Sequence, residues 1–189
     1  MSKQAKQLIG SIVGYAFIAI LILYIILQLV APNATVRVFG FKPYVVITES
    51  MAPVIDVNDI VVVRRFKVEN AEVGDIITFE ADIDYNNTDE VVTHYIYSIT
   101  EDNGTYYIRT NRYFEEGRTV VPDTWNLTQD DVLGAYWFQI PLLGYVVEFV
   151  RSPFGIAAMV VNVGVIVGIV ILLKNGKAEE PTPEPESKD

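Results

Sequence analysis

Two side chains of this sequence could together perform nucleophilic chemistry, Ser50 and His94. Ser50 follows the apolar residues 45–47 and precedes Pro53, a pattern typical of a strand that ends in a rigid turn with an exposed serine. His94, the one histidine of the chain, lies in the β-branched residues 91–96. A serine hydroxyl is a weak nucleophile at neutral pH unless a nearby base accepts its proton, and imidazole titrates close to that pH. Because a turn serine or a lone histidine is more often structural than catalytic, the pair is a hypothesis that needs further motifs.

The absence of cysteine narrows the possible chemistry. With no cysteine in the chain, thiol nucleophiles, thiolate metal sites and disulfides are excluded. A lysine could serve as the base only with a strongly lowered pKa, and residues 32–153 contain just Lys42 and Lys67. The sequence has no metal-ligand cluster and no phosphate-binding glycine loop, so we expect no cofactor and no metal.

Four ordered motifs resemble those of signal peptidase I. Residues 50–53, Ser-Met-Ala-Pro, resemble its Ser-Met-x-Pro signature, and residues 73–79, Val-Gly-Asp-Ile-Ile-Thr-Phe, are similar to its Gly-Asp strand. Residues 92–94, Val-Thr-His, resemble a block of the archaeal and endoplasmic reticulum branch, whereas the bacterial branch has a lysine there. Residues 140–145, Ile-Pro-Leu-Leu-Gly-Tyr, resemble a late block of the archaeal-type enzymes. The resemblance runs from about residue 8 to residue 145 and indicates the serine–histidine branch.

Carried over residue by residue, the resemblance implies that Ser50 is the nucleophile and that His94 is the general base. The implied activity is that of a membrane-bound serine endopeptidase, a hydrolase that removes signal peptides from exported preproteins. Its substrates would have small residues before the scissile bond.

The third catalytic residue is indicated less directly. The archaeal and reticulum enzymes have a Thr-Lys-Gly-Asp-x-Asn block followed by a second aspartate, whereas residues 110–115 here are Thr-Asn-Arg-Tyr-Phe-Glu. The first aspartate is missing, and Asp123 stands where the second is expected. The resemblance implies that Asp123 orients His94 and stabilises the imidazolium. Alternatively Asp123 caps a turn, and Asp130 or Asp131 takes the catalytic role.

Acyl transfer also needs hydrogen-bond donors for the oxyanion of the tetrahedral intermediate. The backbone N–H of Ser50 is one candidate. Thr48 stands two residues before the nucleophile, where the family can supply a hydroxyl. Glu49 occupies a position that is usually glycine or another small residue in the family. Because a carboxylate facing the oxyanion would repel it, we expect Glu49 to point to solvent or to pair with a cation.

The sequence between two apolar runs predicts the β domain that would position these residues. Five segments are rich in Val, Ile, Tyr and Thr and are separated by Asn, Asp and Gly. The Asn103-Gly104 pair predicts a hairpin turn between the last two, and residues 111–131 predict a long loop. The expected fold is a mainly β extracytoplasmic catalytic domain of the signal-peptidase type between two transmembrane helices. The predicted strands are residues 44–48, 60–65, 76–80, 91–99 and 105–109.

The two apolar runs predict transmembrane helices at residues 8–31 and 154–173. An α-helix rises about 1.5 Å per residue, so each run can cross a hydrocarbon core of about 30 Å. Lysines precede the first helix and follow the second, which predicts that both termini are cytoplasmic. Residues 1–7 would be the cytoplasmic N-terminus, residues 32–153 the extracytoplasmic catalytic domain, and residues 174–189 a disordered acidic cytoplasmic tail. The expected location is the cell membrane or the endoplasmic reticulum membrane.

Charge limits the partners of the protein. The formal net charge is −10, so we expect no binding to nucleic acid. The expected partners are the signal peptides of preproteins, membrane lipid and the secretion machinery. Two alternatives remain open: a non-catalytic membrane-anchored β domain that binds exported chains, and a peptidase of the same family with dedicated substrates.

Overall fold

The computed structural model describes residues 3–32 and 34–176, which fall into two compact units. The first unit ends at Gly144 and the second begins at Tyr145. Most of the predicted disordered tail, residues 177–189, lies outside the described residues.

The described residues form four helices and seven strands. The helices are α1 Lys3–Val30, α2 Ala34–Phe39, α3 Leu143–Arg151 and α4 Pro153–Gly176. The strands are β1 Phe41–Val45, β2 Ile60–Arg64, β3 Ile76–Ala81, β4 Glu90–Asp102, β5 Thr105–Asn111, β6 Leu127–Thr128 and β7 Val132–Ile140.

Helices α1 and α4 are each long and apolar enough to cross a membrane. Helix α1 begins before the predicted residue 8 because Lys, Gln and Ala, which precede the apolar run, are good helix formers. Helix α4 continues a short way past the predicted residue 173. The two helices are those expected of a membrane protein.

The strands form one antiparallel sheet in the order β1-β2-β7-β3-β4-β5-β6. The mainly β fold class predicted from the sequence is therefore confirmed. Strands β2 to β5 lie where four segments predict them, with ends shifted by a few residues. The predicted hairpin is confirmed as well, because Asn103 and Gly104 have left-handed φ angles of 51° and 82° between the paired strands β4 and β5.

The first predicted strand, residues 44–48, is wrong in its position. Strand β1 pairs with β2 from Phe41, opposite Arg64, to Val45, opposite Ile60. Residue 60 is the first of β2, so the ladder ends there and residues 48–55 form bends and turns. The apolar pattern extends past the strand, where Val46 still packs against a hydrophobic cluster but Ile47 is 76% exposed.

Strand β7 is not apparent from the sequence. It pairs with β2 on one side and β3 on the other, yet it has the exposed aromatic residues Trp137 and Phe138 in succession. Adjacent exposed aromatics break the alternation that identifies a half-buried strand. The predicted long loop is confirmed for residues 112–126, because β5 extends to Asn111 and β6 begins to pair with β5 at Leu127.

Two hydrophobic clusters lie on opposite faces of the sheet. Ile77 and Phe79 of β3 belong to the first cluster, whereas Ile76 packs against the second, because successive side chains of a strand point to opposite faces. His94 is paired with Ile77 across strands β3 and β4, so it lies on the face of the first cluster. Met51, from the turn after β1, is buried in the second cluster.

Candidate active site

His94 lies in β4, among the aromatic residues of the first cluster. Its exposed fraction is 5%. The centroid of its ring lies 6.1 Å from that of Trp125, with an angle of 28° between the planes, and 6.3 Å from that of Phe79. These two rings limit the orientations that the imidazole can adopt and reduce its contact with water.

Asp123 holds one ring nitrogen of His94. The Nδ1 atom lies 2.7 Å from Asp123 Oδ2, and the two side chains are only 6% and 11% exposed. The long loop brings Asp123 to this place, where its backbone N–H donates to the carbonyl of Thr110 at 2.7 Å and its carbonyl accepts from Arg109 at 2.8 Å. When Nδ1–H donates to the carboxylate, Nε2 carries no proton and can accept one.

Two further side chains hold Asp123 in turn. The Thr110 hydroxyl donates to Asp123 Oδ2 at 2.7 Å, and the indole N–H of Trp125 donates to the Thr110 oxygen at 3.0 Å. Thr110 is fully buried, and hydrogen bonds are stronger in such a low-dielectric interior. We call these four side chains, Trp125, Thr110, Asp123 and His94, the histidine network.

Ser50 lies on the turn that follows β1. Buried Met51 and Ile55 anchor this turn in the second cluster, and the carbonyl of Ser50 accepts the backbone N–H of Tyr113 at 2.9 Å. The Ser50 side chain is half-buried, and its Oγ lies 3.3 Å from Thr48 Oγ1. The backbone of Ser50 is therefore fixed, while among the residues that the structure describes its hydroxyl contacts only Thr48.

Ser50 and His94 line the same cavity, which has a volume of about 520 Å³. Residues 44–48 and residues 90–94 line this cavity together, and most of these side chains are apolar. Within the described residues no hydrogen bond joins Ser50 to His94. Catalytic hydrogen bonds are often long until substrate binds. The structure places both residues at one cavity, and their catalytic partnership stays a prediction.

The hydrogen-bond donors expected to bind the oxyanion lie beside the Ser50 hydroxyl. In the part of the chain that the structure describes, the Ser50 backbone N–H donates to no acceptor, and Thr48 contacts only Ser50 through its hydroxyl. Glu49 is exposed but lines a cavity that Ser50 also lines, so the expectation that it points to solvent or pairs with a cation stays a prediction. The oxyanion roles of Thr48 and Ser50 stay predictions.

The alternative base Lys42 is engaged elsewhere. It is only 5% exposed, and its Nζ donates to the carbonyl of Pro32 at 3.1 Å. Burial lowers the pKa of Lys42, an effect that the negative charge of Glu80 opposes. Lys42 contacts neither Ser50 nor His94, so the structure gives no support to a serine–lysine pair.

The alternative aspartates do not lie against His94 either. Asp131 accepts hydrogen bonds from the N–H and the hydroxyl of Thr128 at 2.7 and 2.9 Å, which caps the helical turn Gln129–Asp131. Asp130 is exposed. Of the three aspartates considered from the sequence, only Asp123 contacts His94.

Sequence reasoning missed two members of the histidine network. Thr110 is the first residue of the altered block at residues 110–115, in which the family motif indicated only a missing aspartate. Trp125 follows Asp123 by two positions, and only its ring contact with His94 and its hydrogen bond to Thr110 reveal its place. A tryptophan in a charged loop is the one signal that could have indicated it.

The chain matches the model of a known protein family. A family model described as signal peptidase, peptidase S26, matches residues 15–109, which is half of the chain. This range includes Ser50 and His94 and ends before Asp123. No curated protein matches the chain.

Proposed function

The chain belongs to the signal peptidase family, peptidase S26, and on that premise we propose that it is a membrane-bound serine endopeptidase that removes signal peptides from exported preproteins. Ser50 is the nucleophile, His94 is the general base, and Asp123 orients His94. The observation that carries the proposal is the 2.7 Å contact between His94 Nδ1 and Asp123 Oδ2 at a cavity that Ser50 also lines.

The reaction proceeds through an acyl-enzyme. His94 Nε2 accepts the Ser50 proton while Ser50 Oγ attacks the carbonyl carbon of the scissile bond. The tetrahedral intermediate then loses the amine, which takes the proton from His94 and becomes the new N-terminus of the mature chain. Water attacks the acyl-enzyme with His94 again as base, which releases the signal peptide as a carboxylate and restores Ser50. Asp123 stays ionised and stabilises the imidazolium at each step.

The oxyanion of each tetrahedral intermediate accepts hydrogen bonds from the Ser50 N–H and the Thr48 hydroxyl. The support for this assignment is that both groups lie at the nucleophile and that the N–H has no competing acceptor in the described residues. One such donor typically contributes about 10²- to 10³-fold in rate.

The signal peptide binds as an extended strand in the cavity that Ser50 and His94 share. Strand β1 is at one end of the sheet, so its outer edge is unpaired. Strand β4 pairs with β5 only from Tyr95 onward, which leaves the same edge of residues 90–94 without a partner strand among the described residues. A peptide can therefore form main-chain hydrogen bonds with residues 44–48, with residues 90–94, or with both. The family resemblance implies small side chains before the scissile bond.

The chain is anchored in a membrane through α1 and α4. Lysines precede the apolar run of α1 and follow that of α4, which supports cytoplasmic termini and an extracytoplasmic β domain. The membrane is a cell membrane or an endoplasmic reticulum membrane. His94, in the position where the bacterial branch has lysine, supports assignment to the archaeal and endoplasmic reticulum branch. Signal peptides, membrane lipid and the secretion machinery are the partners that this function requires.

Cleavage of a preprotein by the full chain in lipid vesicles tests the proposed function. The intact protein should cut after a small residue, and Ser50→Ala and His94→Ala should each lower the rate by at least about 10⁴-fold. Mass spectrometry of the product termini locates the cut. Lys42→Met removes a buried basic side chain other than His94, and this variant should still cleave at a similar rate.

Two results would contradict the assignment. If the folded, lipid-embedded protein never cleaves, the chain is a binding domain for exported polypeptides. If Lys42→Met abolishes cleavage and His94→Ala does not, the base is the lysine.

A further inference from the structure

A second cavity, of about 760 Å³, also has Ser50 in its wall, but His94 does not line it. One side of this cavity is the turn that carries Ser50, and the other is the beginning of the long loop. The two cavities differ in chemistry, because the one shared with His94 is mainly apolar and this one has four charged side chains. They are Glu49, Arg112, Glu115 and Arg118.

The loop wall of this cavity is tied directly to the nucleophile. Tyr113 donates its backbone N–H to the Ser50 carbonyl at 2.9 Å. Asn111, only 8% exposed, donates its side-chain N–H to the carbonyl of Arg112 at 2.7 Å. The guanidinium of Arg112 lies 5.7 Å from the centre of the Phe114 ring, a cation–π distance. Arg112 therefore extends from a backbone that is held on both sides.

Two of the four charges neutralise each other. Arg118 Nε lies 3.2 Å from Glu115 Oε2. Arg112 and Glu49 form no ion pair with any residue that the structure describes. The cavity therefore offers a guanidinium and a carboxylate whose charges are not already compensated by a partner.

We propose that this cavity binds the first residues of the mature chain and that Arg112 selects a substrate with an acidic side chain among them. The inference rests on the proposed function. A peptide attacked at Ser50 must extend away from it in two directions, and the apolar signal-peptide part suits the cavity shared with His94. The mature part then enters the charged cavity.

Arg112 and Glu49 should affect this preference in opposite directions. The planar guanidinium of Arg112 can bind a carboxylate through two parallel hydrogen bonds. Glu49 repels the same carboxylate. Both side chains are exposed, so each effect should be modest and should decrease as salt screens the charges.

The test uses preproteins that differ only in the second to fourth mature residues, with Asp or Asn at one of them. The intact, vesicle-embedded chain should cleave the best Asp substrate about two- to fivefold more efficiently than its Asn partner, measured as kcat/KM at low salt. Arg112→Gln should bring this ratio to one or below, because Glu49 still repels the carboxylate, and Glu49→Gln should raise it. Arg64→Gln changes an exposed arginine of β2 outside both cavities and should leave the ratio unchanged.

Binding to Ser50→Ala separates failure of this inference from failure of the proposed function. Peptides of the mature segment should bind this variant more tightly with Asp than with Asn, and Arg112→Gln should remove or reverse this preference whether or not the intact chain cleaves. Equal cleavage and equal binding of all Asp and Asn pairs would overturn the inference and leave the proposed function in place. A ratio that responds to Arg64→Gln as much as to Arg112→Gln would overturn it too.

Discussion

The two halves of the proposed catalytic site are held in different ways. His94 and Thr110 come from the neighbouring strands β4 and β5, and two side-chain contacts of 2.7 Å connect them through Asp123. Ser50 comes from a turn that buried Met51 and Ile55 anchor, and the Tyr113 N–H holds its carbonyl. Among the described residues its hydroxyl has one contact, at 3.3 Å.

This difference fits the role that each half has in the proposed reaction. A base must keep one tautomer and one orientation through both steps of the reaction, so a buried environment that holds one ring nitrogen by a hydrogen bond suits it. A nucleophile must move toward the carbonyl carbon and become acylated, so a fixed backbone with a less constrained side chain suits it. Substitutions in the histidine network should therefore change the rate through orientation, and substitutions beside Ser50 should change it through the oxyanion.

The largest effect should come from Asp123→Asn. The amide keeps the shape of the side chain but can donate to Nδ1 and stabilise the wrong tautomer of His94, so kcat should fall by about 10³- to 10⁴-fold. Single-turnover cleavage of the vesicle-embedded variant measures this. Asp130→Asn, an exposed aspartate after the same loop, is the matched control and should stay within about twofold because surface changes are usually small. A loss of less than tenfold in Asp123→Asn would remove Asp123 from the catalytic set.

An intermediate effect should come from Thr48→Val. Valine has nearly the same shape but no hydroxyl, so the oxyanion loses one donor and kcat should fall by about 10²-fold with KM little changed. Thr48→Ser keeps the hydroxyl and should retain most of the activity. If Thr48→Ser and Thr48→Val have the same activity, Thr48 contributes by shape alone. A group other than its hydroxyl is then the second oxyanion donor beside the Ser50 N–H.

The smallest effect should come from Trp125→Phe. Phenylalanine keeps a ring beside His94 but cannot donate to Thr110, so one neutral hydrogen bond is lost and kcat should fall by about fivefold. Because the role is one of positioning, the pH profile of kcat/KM should also shift while KM stays the same. Trp137→Phe makes the same change at an exposed site and should alter neither quantity. An unchanged pH profile in Trp125→Phe would mean that the tryptophan only fills space.

Local patterns predicted most of the fold. The strands β2 to β5 and the Asn103-Gly104 turn follow from β-branched runs and from a dipeptide that favours left-handed backbone. Strand β7 could not be predicted because its place in the sheet depends on two partner strands that are distant in sequence, β2 and β3. The end of β1 could not be predicted for a related reason, since the residue at which β2 begins determines where β1 ends.

The three proposed catalytic residues were predictable from the sequence, whereas the residues that hold them in place were not. Sequence motifs indicated Ser50 and His94 directly, and they indicated Asp123 by its position after an altered block. Thr110 and Trp125 could not be predicted, because their roles depend on contacts across 13 and 15 residues of chain. The charged cavity beside Ser50 likewise depends on the path of the long loop, which Tyr113 ties to the Ser50 carbonyl.

The sequence by itself determined two long apolar helices, a mainly β segment between them, and a serine and a histidine in motifs that resemble one peptidase family. These features are local in the chain, so composition and spacing are enough to specify them. Only the tertiary structure decided which of three aspartates meets His94, since Asp123 is 29 residues away and lies in a loop without periodicity. It also decided which charges lie beside Ser50, because a loop has no repeating pattern from which its path over the sheet can be inferred.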